Sequence, residues 1–402
     1  MQDIVVIGAG AAGCFCAAEM ARLRPDLKVS VFEAASRPMM KLAVTGGGRC
    51  NITNSFEGVS ALAHVYPRGD KLMKRLLHSF GPEDCLHWFG ERGVRFVTQS
   101  DGCVFPQSQD AMQIVRTLER AMQEGGVQVL CNHKVTAIDS DLSVHFQEAS
   151  GKQGGTLRPD AVVLTTGGAT ARLLSGTGIE LVGDVPSLFT LKIEDEGLRS
   201  LMGTVVDNVT LGLTGTRFRS HGTLLLTDWG VSGPATLRLS SYAARHLAEN
   251  QYRGTLMVNW MDASEAEVRE WLIGISGSGR TVANSHPAEL SDRLWKMLVG
   301  RAGIRPDARW SELGSKGLAK LINILIADTY EITGRARFKE EFVTCGGVAL
   351  SEVRPDTLEA RRIPGLYFAG EVLDIDAVTG GFNLQAAWTT AHTVAHAVAD
   401  SI

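Results

Sequence analysis

The chain has 402 residues, 44% of them hydrophobic, with 40 Lys and Arg against 44 Asp and Glu for a net charge of −4. That length implies two or three domains, and the near-neutral charge without a dense basic stripe sets nucleic-acid binding aside as the default reading. Twelve prolines with no repetitive tract exclude collagen-like and low-complexity chains, so 44 glycines, roughly 16 above a usual share of about 7%, must serve local backbone geometry.

The run Asp3–Ile7 (DIVVI) predicts a strand buried on both faces of a parallel sheet. GAGAAG follows, with Gly8, Gly10 and Gly13 in G-x-G-x-x-G spacing. A helix is expected over Ala11–Arg24, closed by Pro25, and a second strand over Lys28–Phe32 ends at Glu33. In that order each residue has a task. Gly8 allows the tight turn, Gly10 admits a pyrophosphate to the backbone, and Gly13 lets helix and sheet approach. The helix N-terminus, with Ala12 in its first turn, offers N–H groups to phosphates, and Glu33 accepts hydrogen bonds from a ribose. An acid there argues against a 2′-phosphate.

The apolar run Ile4–Ala18 does not resemble a signal-peptide core, because no Lys or Arg precedes it and glycines interrupt it. No other stretch approaches the roughly 18 apolar residues of a membrane span. Seven cysteines without a C-x-x-C pair fit reduced thiols rather than a disulfide framework or a zinc cluster. The expectation is a soluble cytoplasmic protein that engages no membrane.

After Glu33 the chain continues through Arg37-Pro38-Met39-Met40 into KLAVTGGGRCNITNS. Three consecutive glycines make a poor helix or strand, so the segment is expected to be a loop held close to a ligand. Lys41 and Arg49 can offset phosphate charge, and Asn51 can cap a following helix or bond a ligand carbonyl. Leu42, Gly46 and Gly48 belong to the same ligand-facing segment.

These residues resemble a known family. KLAVTGGGRCNITN after an N-terminal GAGAAG is similar to the HI0933-like flavoproteins, which include bacterial enzymes named as aminoacetone oxidases and bile-acid reductases. The resemblance recurs at Phe105-Pro106-Gln107-Ser108, TTGGAT (165–170), GVSGP (230–234), TCGGV (344–348) and PGLYFAGEVLDIDAVTGGFNLQAAW (364–388). It implies FAD, held by the Rossmann domain of a glutathione-reductase-like α/β fold.

The residues themselves agree. Ala161–Leu164 (AVVL) reads as another buried strand, with Thr166, Gly167 and Gly168 at its carboxyl end, where open α/β sheets place ligands. Leu366–Ala369 reads as a last short strand ending in Gly370-Glu371; by resemblance Glu371 bonds the ribitol chain. A helix follows over roughly Asn383–Val398. Its N-terminus, with Gly380, Gly381, Leu384 and the Asn383 side chain, would face the flavin ring, where a helix dipole stabilises the negative charge of reduced flavin. His133-Lys134-Val135 lies, by resemblance, on the strand that offers backbone atoms to the adenine.

Between about Ser187 and Tyr330 the pattern changes. Val205–Leu213, Thr223–Thr227 and Thr255–Trp260 read as antiparallel strands, and Ser232 as the cap of a helix begun by Pro234. Helical spacing follows over residues 265–272, 290–299 and 318–325, with GISGSG (274–279) read as a loop. The domain expectation is therefore 1–188 with 335–402 for FAD, 189–261 with 328–334 for a β-barrel-like subdomain, and 262–327 for a helical cap. A second glycine fingerprint for NAD(P)H and a paired redox-cysteine motif are both missing from the sequence. Either NAD(P)H docks transiently without a Rossmann domain, or the substrate reduces the flavin.

His221 and Asp228 flank the predicted strand Thr223–Thr227 and are candidate general acids, while Cys50 reads as a buried small hydrophobe. The family usually has His at position 228 and Arg at position 103, where this chain has Asp228 and Cys103. The resulting expectation is an FAD-dependent oxidoreductase that moves hydride at flavin N5 on a small organic substrate, in one version an NAD(P)H-dependent C=C reductase. The alternatives are an amine or amino-ketone oxidase using dioxygen, and a flavin-dependent protein that modifies or binds RNA.

Overall fold

The computed structural model describes residues 2–148, 154–168, 172–276, 280–336 and 343–402. The end of TTGGAT (169–170), the GSG of GISGSG (277–279) and residues 337–342 of the expected FAD-binding segment fall outside them. The chain forms two compact units, Met1–Val185 with Val343–Ile402, and Pro186–Phe342.

The first unit is built on a five-stranded sheet in which every neighbouring pair is parallel. β1 (Asp3–Ile7) lies between Ala161–Leu164 and β2 (Lys28–Phe32), with Leu366–Phe368 and Gln128–Leu130 at the edges. β1 and Ala161–Leu164 can take the centre because almost every side chain in them is apolar and buried. α1 (Ala11–Leu23) packs on this sheet and against the helix Phe382–Ser401. Phe15 of α1 is fully buried and meets Phe80, Trp88 and Trp388 at centroid distances of 5.5, 4.7 and 5.6 Å.

The glycine-rich segment departs from the loop expectation only ahead of its glycines, which are themselves not helical. Met40–Gly48 form α2, tied at its start by Met39 N–H donating to the Ala9 carbonyl (2.7 Å) and anchored by buried Leu42. The sequence Met-Lys-Leu-Ala favours helix, and that local preference holds for one turn. It then fails at Thr45, Gly46 and Gly47, whose backbone angles are not helical. β3 (Thr53–Asn54) follows and pairs with Cys103–Pro106, so Asn51 caps no helix, contrary to one of its expected roles.

The second unit contains a closed barrel in the order Leu191–Ile193, Gly230–Ser232, Arg219–Thr227, Val205–Leu213, Gly254–Asn259, Asp328–Arg335. Ser232 ends a barrel strand, and Gly233 takes the N-cap of the helix Pro234–Tyr242: the ladder to Leu225 claims Ser232 before the helix can. Helices Glu265–Ser276, Asp292–Arg301 and Gly314–Ala327 complete the unit. The first of them runs through Gly274, because buried Val268 and Leu272 hold it against the core and outweigh glycine's low helix propensity. Leu211, Leu256, Trp260, Trp295 and Leu325 pack together at the centre.

Candidate functional site

The first unit gathers its glycine motifs at the carboxyl ends of the central strands. Gly13 is the packing glycine: a Cβ there would sit 2.0 Å from the Gly8 carbonyl oxygen and 2.5 Å from Thr165 Oγ1. At Gly10 the same construction meets nothing within 4 Å, so the backbone faces open space at the N-cap of α1. The first N–H groups of α1 point the same way, which makes this a place for an anion.

Glu33 leaves the end of β2 and organises the turn beside it. Its Oε2 accepts the Ala9 N–H (2.8 Å) and its Oε1 the Ala35 N–H (2.7 Å), while its backbone carbonyl accepts from His133 N–H (2.8 Å). The strand His133–Ile138, with Val135 buried at 6% exposure, is thus tied to the acid. Each carboxylate oxygen keeps a further lone pair for a hydroxyl.

A second acid lies at the end of Leu366–Phe368. Glu371 Oε1 accepts the Thr344 N–H at 2.7 Å. Gly370 packs on Ala12, against which a Cβ would stand at 2.8 Å, and a Cβ on Gly168 would stand 2.4 Å from Thr344 Oγ1. Thr165 spends its hydroxyl on the Ile7 and Gly8 carbonyls, whereas buried Thr166 Oγ1 has no hydrogen-bond partner.

The third part joins residues 51–66 to the first turn of the helix Phe382–Ser401. Thr53 Oγ1 donates to Gln385 Oε1 (2.5 Å), Asn54 Nδ2 to the Gly380 carbonyl (2.9 Å), Tyr66 Oη to the Phe382 carbonyl (2.9 Å) and Trp388 Nε1 to the Ile52 carbonyl (3.0 Å). Gly381 is required here, since its φ is +91° and a Cβ would lie 2.3 Å from the Thr53 carbonyl. Asn51 Oδ1 faces this corner, buried and without a partner.

Asn383 corrects an expectation. Its Oδ1 accepts the Ala377 N–H and its Nδ2 donates to the Ala377 carbonyl, both at 2.9 Å, so the side chain holds the preceding loop instead of facing a ring. Arg68 and Asp376 pair across the same loop, a contact the sequence reading missed. Arg49 donates from Nε to the Gly46 carbonyl (3.2 Å) and lies 4.4 Å over the Phe105 ring, while Lys41 is exposed.

In the second unit His221 Nδ1 lies 3.0 Å from Asp262 Oδ2, a partner no motif announced. Asp228 is exposed, and its backbone carbonyl accepts from Arg199. None of the seven cysteines forms a disulfide. Burial pushes the Cys50 thiol up to about 12, which leaves it a neutral, unreactive group.

A parallel sheet whose strand ends converge on a glycine turn, two acids, a second helix N-terminus and two unpartnered buried oxygens fits a long, phosphate-bearing dinucleotide. Cradle and fold together define an FAD-dependent oxidoreductase of Rossmann type.

The chain belongs to the HI0933-like family: the family described as HI0933-like protein Rossmann domain matches residues 2–397. It is 28% identical to the 3-dehydro-bile acid delta(4,6)-reductase of Clostridium scindens, over 100% of both chains. It is also 30% identical to the ribosomal RNA dihydrouridine synthase of Escherichia coli, over 97% of this chain and 96% of that one. Among solved structures, the E. coli quinol fumarate reductase variant shares the fold, with a TM-score of 0.51 and 16% identity over 99% of this chain and 70% of that one. Among the described residues, no helix is long and apolar enough to cross a membrane.

Proposed function

We propose that this enzyme is a reductase that adds hydride to a carbon–carbon double bond conjugated to a carbonyl, on a small organic substrate and with NAD(P)H as transient donor. The observation that carries the reading is the pair of full-length relatives. A 3-dehydro steroid acid with 4,6-unsaturation and a uracil ring have in common a C=C bond polarised by a conjugated carbonyl, whose far carbon accepts hydride. None of the seven cysteines is in a disulfide, and the buried Cys50 thiol is held neutral, which argues against a disulfide substrate relayed through protein thiols.

FAD, when bound, supplies hydride transfer at N5. The chain's part is to hold and orient it. Gly8, Gly10, Ala12 and Gly13 form the pyrophosphate turn, and Lys41, Gly46, Gly48 and Arg49 line the phosphate side with Leu42 as anchor. Glu33 takes the ribose, Val135 the adenine edge, and Glu371 the ribitol, with Thr166, Gly167, Gly168 and Gly370 lining the path. Asn51 Oδ1, Gly381 and the N–H groups of Asn383 and Leu384 meet the ring.

Glu33→Ala should raise the dissociation constant for FAD about 10- to 100-fold, since charge-assisted hydrogen bonds contribute about 1.5–3 kcal/mol. Flavin fluorescence on titration of apoprotein reads this directly, and an unchanged constant would remove Glu33 from the ribose contact.

A second reading, reduction of a uridine in RNA, is favoured by the identity to the E. coli relative. Anaerobic stopped-flow absorbance tests both. NADH or NADPH should bleach the flavin at 450 nm, an unsaturated ketone should restore it, and an RNA that restores it faster would select the second reading. No bleaching by either nicotinamide, together with peroxide formed from an amine when dioxygen is admitted, would replace both with an oxidase.

A further inference from the structure

Away from the glycine motifs, α1 and the helix Phe382–Ser401 bring together Glu19, His392 and His396, a group to which the cradle gives no task. We propose that these three side chains bind one divalent transition-metal ion of the zinc type, which clamps the two helices together.

His392 and His396 stand four residues apart, so both project from one face of their helix, one turn above the other. Glu19 reaches that face from α1, and one ligand atom from each of the three lies within 4.8 Å of the others. The distances suit a metal better than a hydrogen bond. His396 Nε2 is 3.6 Å from Glu19 Oε1, too long for a hydrogen bond. Bonds of about 2.0–2.2 Å to nitrogen and oxygen, opened to tetrahedral or trigonal angles, span roughly 3.3–3.6 Å between the two ligand atoms.

The ligands are prepared for this. His396 Nε2 and His392 Nδ1 are buried atoms without a hydrogen-bond partner, a costly arrangement for an imidazole with nothing to bind. Glu19 is fixed as a ligating carboxylate commonly is: Arg22 donates to both its oxygens (2.9 and 2.7 Å) and Trp88 Nε1 to Oε2 (2.9 Å). That leaves a lone pair on Oε1, the oxygen nearest His396. Phe80 stacks on the His392 ring at 4.4 Å and limits its rotation. The His396 side chain is 41% exposed, which gives an ion a route in from solvent. Two imidazoles and one carboxylate select zinc-class ions over magnesium or calcium, and with three protein ligands the fourth position goes to water.

The test is calorimetric titration of tag-free, FAD-loaded protein, stripped with a chelator, with zinc chloride alone. One zinc per chain should bind, and zinc should raise the melting temperature. In His392→Gln and His396→Gln that equivalent should weaken by at least about 10-fold, the smaller loss seen when even an outer partner of a metal site is removed. The thermal response should vanish with it, while FAD content stays unchanged. His87→Gln, an exposed histidine elsewhere, should behave as wild type. Zinc bound no more tightly by wild type than by the two variants, or no zinc bound at all, overturns the proposal. None of these outcomes depends on the substrate or on the FAD contacts proposed above.

Discussion

Gly10→Val should give a folded but colourless protein. The backbone at Gly10 has φ −82° and ψ −168°, extended values open to any residue, and a Cβ there meets no protein atom within 4 Å. The fold therefore tolerates the valine, and its methyl groups occupy the space a pyrophosphate needs to reach the α1 N–H groups. FAD affinity should fall by about 100-fold or more, equivalent to about 2.7 kcal/mol. Far-UV circular dichroism and the melting temperature of apoprotein should stay near wild type while the 450 nm absorbance of purified protein disappears. Gly13→Val makes the contrast, because its Cβ would collide with the Gly8 carbonyl inside the protein, so insoluble or unfolded chains are expected. A yellow, fully loaded Gly10→Val protein would remove the pyrophosphate from this turn.

Arg301→Ala should lower the stability of the second unit by about 3–5 kcal/mol, the range found when one partner of a buried ion pair is removed. Asp328 has a side chain with no solvent exposure, and Arg301 donates to its Oδ1 from Nε (3.0 Å) and Nη2 (2.7 Å). Trp260 Nε1 and Tyr330 Oη bond the other oxygen but bring no positive charge. Without the guanidinium, the carboxylate stays buried and uncompensated at the start of the last barrel strand. Adding Asp328→Asn should recover part of the loss, since the amide oxygen can still accept while the charge is gone. Urea unfolding followed by tryptophan fluorescence measures both changes, and a loss below about 1 kcal/mol for the single variant would show that the charge is compensated from elsewhere.

The first strands could be read from sequence to the residue because their determinants are local. Asp3–Ile7, Lys28–Phe32 and Ala161–Leu164 are short apolar runs bounded by turn residues, and the structure ends them where the runs end. The parallel fold class follows from the same runs and the helix between the first two. The segment after Glu33 was harder, because its conformation depends on distant partners. Thr53 finds Gln385, 332 residues away, and no window around NITN contains that information. Ser232 misled for a related reason: its hydroxyl suits a cap, but the strand ladder had already claimed its backbone. Asn383 was drawn toward a ligand by its place in a motif, when the geometry of the loop before it required both ends of its amide. The His221–Asp262 pair left no trace in the sequence because its partners lie on separate elements of the second unit.

The joining of residues 51–66 to the turn at Gly380–Gln385 has a consequence for the order in which the protein is made. The edge strand Leu366–Phe368 and the helix that completes the first unit emerge only after the 157 residues from Pro186 to Phe342 have been synthesised. At roughly 5–20 residues per second, that delay is about 8–30 s. When that interval ends every barrel strand has been synthesised, whereas the strand Ala161–Leu164 still has an unpaired flank and Thr53 still lacks its acceptor. The intervening unit thus has the means to finish first, and the nascent first unit is the part that requires protection from aggregation until its closing segment arrives.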